Sequence, residues 1–383
     1  MNIRSMEANA LEESGCQFGR TTKAVNSVNP KNRGPIVMAE ASVSVRTGSE
    51  VNHAPSVSVI MPAYNVASFI AEALDSVFAQ TYRDFEVIVI NDGSPDTDVF
   101  EHVLEPYLER IVYIKQQNRR AAGARNTGIR QARGEFLAFL DSDDSWTPDN
   151  LVSQMKLFEE TPWLDMVYAD AFYHPASLGK RYMDACPSHS PVTLEALVLE
   201  QCHVCVSCTV AHKRIIVDAG LFDETLPRCD DYDLWLRVAC RGAKIFFHRK
   251  PLGWIRPERP GSLGESDLKV HEADLEIFRK LEKSPVLWPS ARNAVTRAIA
   301  REEALIELDS ARLSLSVGKF HEARASLKKA NVFFESPKLK LLLLGLKMAP
   351  HLTALGGRVW KQFRTAHVKG GKIHKQTSLS RVG

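Results

Sequence analysis

The chain has 383 residues, 44% hydrophobic and 25% charged, enough to bury a sizeable core and to divide into a main domain with appendages. A formal net charge of +3 and the lack of a Lys/Arg block set nucleic-acid binding aside. Seven cysteines, an odd number scattered mostly through apolar runs, fit a reducing compartment rather than a disulfide scaffold.

Residues 1–55, rich in Ser, Asn, Glu and Arg and without an apolar signal-like core, read as a disordered leader. Val57-Ser58-Val59-Ile60-Met61 is a β-rich run that ends in Pro62-Ala63-Tyr64-Asn65. A second, Phe85-Glu86-Val87-Ile88-Val89-Ile90, ends in Asn91-Asp92-Gly93-Ser94. Between them Phe69, Ile70, Ala73, Leu74, Val77 and Phe78 recur at helical spacing. Strand, helix, strand implies a parallel pair with a right-handed crossover, which brings both polar loops to one edge. Ile111–Ile114 predicts a third strand and 120–133 a helix. Then Glu135-Phe136-Leu137-Ala138-Phe139-Leu140 runs into Asp141-Ser142-Asp143-Asp144.

That run is the sharpest signal in the chain, an apolar strand closing in three carboxylates within four residues. Such a group repels itself and needs a cation or a cationic ligand. Asp-x-Asp at a strand's carboxyl end suits a divalent metal holding a diphosphate in the crevice where open α/β sheets bind ligands.

Further on, 151–160 reads as a helix, 164–169 as a strand ending near Asp170, and 173–191 as a loop able to fold over an acceptor. Cys202-x-x-Cys205-x-x-Cys208, with His203 and His212 nearby, looks superficially like a thiolate metal site. Val204, Val206, Thr209 and Val210 make the segment extended, and a strand would put Cys205 on the face opposite Cys202 and Cys208, which argues against a shared metal. His203, His212 and His248 read as boundary or core histidines. Asp230-Asp231-Tyr232-Asp233 opens a helix whose Leu234, Trp235, Val238 and Ala239 form an apolar stripe. First-turn carboxylates oppose the helix dipole favourably, which alone would explain them. Their place downstream of a nucleotide-binding half is where an acceptor-activating base is required.

The motifs in order, Val57–Asn65, Val89–Ser94, Ala124-Arg125-Asn126-Thr127-Gly128, Phe139–Asp144, Gly220-Leu221-Phe222-Asp223 and Asp230–Arg237, resemble the family-2 glycosyltransferases of the GT-A fold over about residues 56–260. The resemblance implies an α/β architecture, a Rossmann-like, mostly parallel sheet flanked by helices, over residues 56–262. It implies that Asp92 accepts hydrogen bonds from the nucleotide base beside a wall of Ala63, Tyr64 and Asn65. Asp141 would lie towards the ribose or metal, and Asp143 would coordinate the divalent ion, Mg2+ or Mn2+. Arg125 would face the ligand, with a helix face packed on the sheet as the alternative for Arg125 and Asn126. Asp231 would be the catalytic base, although Asp230 stands where the family has Glu.

These roles fit the chemistry. A hard cation neutralises charge on a leaving diphosphate, and a carboxylate within hydrogen-bond reach takes the proton of the attacking hydroxyl. A single displacement inverts the anomeric centre, whose transition state has oxocarbenium character. The reading is thus an inverting, metal-dependent transfer of a sugar from a nucleotide-diphosphate donor, most readily a UDP-sugar, to a hydroxyl of a carbohydrate or lipid-linked acceptor in polysaccharide or glycoconjugate assembly. Against it stands a non-catalytic nucleotide-sugar-binding or scaffold protein, which would not need both acidic groups. A nucleotidyltransferase would want a Gly-rich triphosphate loop, and the sequence has none of the Gly-x-x-x-x-Gly-Lys type.

Residues 263–365 read as a helical appendage. Within it Gly318–Ala330 resembles one tetratricopeptide-type unit, too few for a repeat array. Residues 366–383 read as a disordered tail. No run reaches the roughly 18 apolar residues that span a bilayer, and 339–348 is broken by Lys340, Gly345 and Lys347. The expected location is cytoplasmic, with peripheral contact at the inner face of the membrane, or with a protein partner, left open through the C-terminal helices.

Overall fold

The computed structural model describes residues 44–47, 54–174, 179–256 and 267–348. Among these, nine strands form one sheet: β1 (Ser44–Thr47), β2 (Val57–Ala63), β3 (Phe85–Asp92), β4 (Val112–Gln116), β5 (Phe136–Phe139), β6 (Ser145–Trp146), β7 (Met166–Tyr173), β8 (Thr209–His212) and β9 (Ile245–Ile255). Their order is β1-β4-β3-β2-β5-β8-β7-β9-β6. β4, β3, β2 and β5 are mutually parallel, with Val59 beside both Val87 and Ala138. β8 is antiparallel to β5 and β7, and β9 runs parallel to β7.

The helices of the sheet region are α1 (Ile70–Phe78), α2 (Thr97–Leu104), α3 (Arg120–Gln131), α4 (Asn150–Glu160), α5 (Tyr182–Ala185), α6 (Leu194–Val198), α7 (Lys213–Asp218) and α8 (Asp230–Cys240). Period-two alternation splits the strands between two cores. Val57, Val59, Met61, Val87 and Val89 face α1, which buries Ile70, Ala73, Leu74 and Val77. Ile60, Ile88 and Ile90 face α3 and α8 on the other side. A Cβ on Gly128 of α3 would stand 2.8 Å from the side chains of Ile60 and Ile90, so only glycine lets that helix approach so closely. With β2, β3 and β5 pointing the same way, the segments after residues 63, 92 and 139 open on one edge.

Four helices follow: α9 (Asp267–Glu282), α10 (Pro289–Ser316), α11 (Phe320–Phe334) and α12 (Pro337–Met348). Ile277, Phe278, Val295 and Ala298 of α9 and α10 belong to the same buried cluster as Ile90 and Trp235. A buried ionic chain reinforces that joint. Arg301 of α10 donates to Glu200 at 2.6 Å and to Glu302 at 2.7 Å, and the His271 ring of α9 meets Glu302 at 2.7 Å. α11 and α12 instead close a separate small cluster of Leu327, Leu339, Leu342 and Leu346 with Ala311 of α10. Among the described residues no helix is long and apolar enough to cross a membrane.

Three local readings change. Residues 44–47, inside the stretch read as a leader, pair antiparallel with β4 at the sheet edge, and the remainder of that leader to residue 53 lies outside the described residues. So do 349–365 of the helical region and the tail 366–383. β7 continues past Asp170, whose buried carboxylate accepts from Arg181 Nε at 2.5 Å and Met183 N at 3.0 Å, so much of the stretch read as an acceptor loop is packed on β7. The cysteine segment is not one extended run. Val206–Cys208 is a 3-10 turn in which Cys208 N donates to Cys205 O at 3.1 Å, and both thiols lie buried in one apolar cluster with Ala169, Ala171 and Leu252. Trp146 Nε1 draws the turn inward by donating to Ser207 O at 2.5 Å.

Candidate active site

The first two loops are tied into one wall. Asn65, in the left-handed region at φ 55°, donates its N–H to Ser94 Oγ at 2.6 Å. Ser94 N in turn donates to Asn91 Oδ1 at 2.9 Å. Gly93 has φ 65°, and a Cβ there would meet Asn118 N at 2.8 Å, so the turn demands glycine. It sets Asp92, 2% exposed, to accept from Gln116 Nε2 at 2.6 Å and Arg119 N at 2.8 Å. Burial raises the Asp92 carboxyl above its usual range, against the pull of those two bonds. Ala63 is buried at the strand end, and Tyr64 presents a ring 48% exposed beside it.

The loop after β5 is a tight turn, closed by Asp144 N donating to Asp141 O at 3.0 Å. Ser142 Oγ donates to Pro62 O at 2.8 Å, which ties this turn to the first loop. Asp144 points inward, accepting from Ser207 Oγ at 2.6 Å and Arg256 N at 2.9 Å. Burial, and then the charges of Asp143 and Asp141, push its carboxyl well above the ordinary range. Arg256 Nε also donates to Asp143 O at 2.8 Å, and Ser207 Oγ accepts from Asp141 N at 3.2 Å. Asp141 and Asp143 remain half-buried.

Arg125 joins this turn to the second acidic group. Its Nη2 donates to Asp141 Oδ1 at 2.8 Å and its Nη1 to Asp230 Oδ2 at 2.9 Å. The guanidinium is buried, with its carbon 5.3 Å from the Phe222 ring centre. Burial alone would lower its pKa, but Asp141, Asp230 and Asp231 together raise it, so the group stays charged. It reaches across between two carboxylates, Asp141 after β5 and Asp230 at the start of α8.

Cys229, left-handed at φ 58°, turns the chain sharply into α8. Of the carboxylates that follow, Asp230 takes Arg125, and Asp233 takes Arg237 at 2.6 Å. Arg237 also donates to Leu221 O at 2.7 Å and to Ala219 O, which makes Asp233 an anchor for the 219–222 turn. Asp231, half-buried, feels the charge of Arg125 without a hydrogen bond from it. Burial first, then the neighbouring Asp230, push its carboxyl up to about 6, against Arg125. Asn126 pairs with both backbone groups of Phe222, donating to O and accepting from N at 2.9 Å each, and so holds the 222–224 segment against α3.

Sequence reasoning named Asp92, Arg125, Asp141, Asp143 and Asp231, and the fold brings the last four to one place. It missed Ser207 and Arg256, which set the turn at Asp141–Asp144 from two distant segments. Neither carried a local signal. His212 pairs with Phe136 at the start of β5, the end opposite Asp141, and packs tilted against that ring with centres 4.2 Å apart. Among the described residues no three His, Cys, Asp or Glu side chains gather as a ready-made metal cage. A hard divalent ion that keeps water and substrate phosphates in its shell needs only one or two protein carboxylates, and half-buried Asp143 beside Asp141 suits that set.

Comparison with known proteins agrees with this geometry. The family model described as glycosyl transferase family 2 matches residues 58–218. An uncharacterized glycosyltransferase of Rickettsia prowazekii is 31% identical over 303 residues, covering 77% of this chain and 87% of that protein. The Escherichia coli UDP-Glc:alpha-D-GlcNAc-diphosphoundecaprenol beta-1,3-glucosyltransferase WfaP is 30% identical, covering 49% of this chain and 72% of that protein. The chain spans only 40%, 35% and 40% of the length of three further Rickettsia relatives, from R. felis, R. bellii and R. conorii. In structure it is similar to S. aureus TarS 1-349 in complex with UDP-GlcNAc, with TM-score 0.56 at 18% identity, covering 83% of this chain and 93% of that one. It is also similar to the Pyrobaculum calidifontis mannosyltransferase PcManGT in complex with GDP-Man and Mn2+, with TM-score 0.52 at 19% identity over 81% and 89% of the two chains. The motif order, the crevice at the strand ends and these likenesses lead to one conclusion: the chain is a family-2 glycosyltransferase with the GT-A fold and C-terminal helices.

Proposed function

We propose that the chain transfers a sugar with inversion from a nucleotide-diphosphate donor, a UDP-sugar, to a hydroxyl of a carbohydrate or lipid-linked acceptor in polysaccharide or glycoconjugate assembly. The observation that supports this reading is the Arg125 bridge, which fastens the strand-end carboxylates to the start of α8, where Asp231 follows Asp230. The UDP-sugar named for WfaP and the UDP-GlcNAc bound to TarS support the donor class, and the diphosphoundecaprenol in WfaP's name supports the acceptor class.

In this reading the donor's base lies against Tyr64, between Asp92 and the Ala63–Asn65 wall. The diphosphate lies over the turn at Asp141–Asp144. Asp143, with Asp141, would hold Mg2+ or Mn2+, in keeping with the Mn2+ of PcManGT. Such an ion, when bound, neutralises charge on the departing diphosphate. Arg125 keeps Asp141 aligned through one hydrogen bond and holds Asp230 away from the acceptor through the other. Asp231, with a carboxyl at about 6, is deprotonated at neutral pH yet a stronger base than an ordinary carboxylate. It takes the proton of the acceptor hydroxyl as that oxygen attacks the anomeric carbon. The bond to the diphosphate breaks in the same displacement, and no enzyme nucleophile is needed.

The test is a panel of UDP- and GDP-sugars, read first by thermal shift and then by nucleotide release with and without acceptor and Mn2+. Stabilisation by a UDP-sugar, and UDP release that needs both acceptor and a divalent ion, are the expected results. A protein that no nucleotide sugar stabilises, with or without Mn2+, would sink the donor-site assignment.

A further inference from the structure

The net charge of +3 hides a strong polarity along the chain. From Ser336 to Gly383 there are ten Lys and Arg and no Asp or Glu, which leaves the preceding residues with a net charge of −7. α12 begins this basic stretch, and it is apolar on two sides. Leu339, Leu342 and Leu346 are buried against α10 and α11, closing the small cluster with Ala311 and Leu327. On the opposite side Leu341, Leu344 and Met348 are 71%, 51% and 76% exposed.

At about 100° per residue, positions 341, 344 and 348 fall on a single stripe within about 60° of arc. Lys340 and Lys347 lie along one flank of that stripe and Lys338 along the other, all three exposed. An outward leucine and methionine stripe costs solubility and contributes nothing to the helical core, so the helix gains from it only when something apolar covers it. The cationic rim selects what does. Lysine stems lie along an apolar surface while their ammonium groups reach outward to phosphate. That is the pattern of a helix lying in the interface of an anionic bilayer, with its apolar face at the acyl boundary. A polyanion such as RNA would use the lysines and leave the stripe in water. An apolar protein partner would use the stripe and leave the lysines idle.

We propose that α12 docks this chain on an anionic lipid surface, with Leu341, Leu344 and Met348 entering the headgroup region and Lys338, Lys340 and Lys347 meeting lipid phosphates. The proposal does not depend on which sugar or acceptor the crevice takes.

The test is co-sedimentation of the full chain with vesicles of phosphatidylcholine alone and of phosphatidylcholine mixed equally with phosphatidylglycerol. The wild type is expected to pellet with the mixed vesicles and to release as salt shortens the Debye length. The double variant Leu341→Glu/Leu344→Glu should lose at least about tenfold in partitioning, from stripe burial lost and repulsion gained. The triple variant Lys338→Gln/Lys340→Gln/Lys347→Gln should bind the two vesicle types nearly alike. Both sets of positions are exposed, so thermal melting and the UDP-sugar thermal shift should match the wild type, and those controls separate loss of docking from loss of the fold or the donor site. Absence of wild-type binding to the mixed vesicles, or undiminished binding of the Leu341→Glu/Leu344→Glu variant, would overturn the proposal.

Discussion

The turn at Asp141–Asp144 and the start of α8 at Asp230–Asp233 are alike in composition, each crowding three carboxylates into four residues. The fold relieves the crowding differently in the two places. In the turn the deepest carboxylate, Asp144, is held by a hydroxyl and a backbone N–H, neither of them charged, and its pKa climbs. At the helix, two of the three carboxylates are paired with arginines, Asp230 with Arg125 and Asp233 with Arg237. Asp231 is left with a carboxyl at about 6. A string of acids is therefore several devices, each defined by its partner. Arg125, which serves both groups at once, makes their separation a fixed distance rather than a chance of two loops.

Four changes probe that contrast. Asp231→Asn removes the proposed base and keeps the shape, so kcat should fall by about 10²–10⁴-fold with little change in donor KM. In the wild type, kcat/KM should rise with pH through about 6, because protonation below that value removes the base. A profile flat across pH 5–7, or a fully active Asn variant, would move the role elsewhere. Arg125→Met leaves Asp141, Asp230 and Asp231 facing one another without their cation. Loss of one partner from a buried ionic cluster costs about 3–5 kcal/mol, to be read as the drop in denaturant midpoint and accompanied by loss of transfer. Asp143→Ala should lower transfer by about 10²–10³-fold and weaken the Mn2+ dependence, while the melting temperature holds. Ser207→Ala is the smallest change. It leaves a buried Asp144 oxygen short of a donor, for about 1–3 kcal/mol of stability, visible as a melting temperature lower by several degrees.

The sheet and its crevice were legible because their signals are local. β-rich runs end in turn residues at 62–65, 91–94 and 141–144, and the 3.6-residue rhythm of 70–78 needs no distant partner. Asp92, Asp141 and Asp231 could be named because the local motifs that hold them, at strand ends or a helix start, resemble those of the family. The Arg125 bridge was not legible in this form, since its two carboxylates lie 16 and 105 residues away and only the folded chain brings them within 3 Å. Arg256 and Ser207 were missed for the same reason. The cysteine segment failed differently. Its composition is β-like, but Ser207 and Trp146 hold it in a turn, so tertiary contacts override local preference.

The continuity of the buried cluster from Ile90 through Trp235 to Phe278 and Val295 bears on how this molecule can be dissected. A boundary drawn at residue 262 follows the motifs but cuts through one interior. A fragment stopped there would bare the outer side of α8 to water and strand Glu200 without Arg301. The smallest autonomous fragment should therefore extend to the end of α10, because the long helices that look like an accessory in the sequence share the interior of the sheet region.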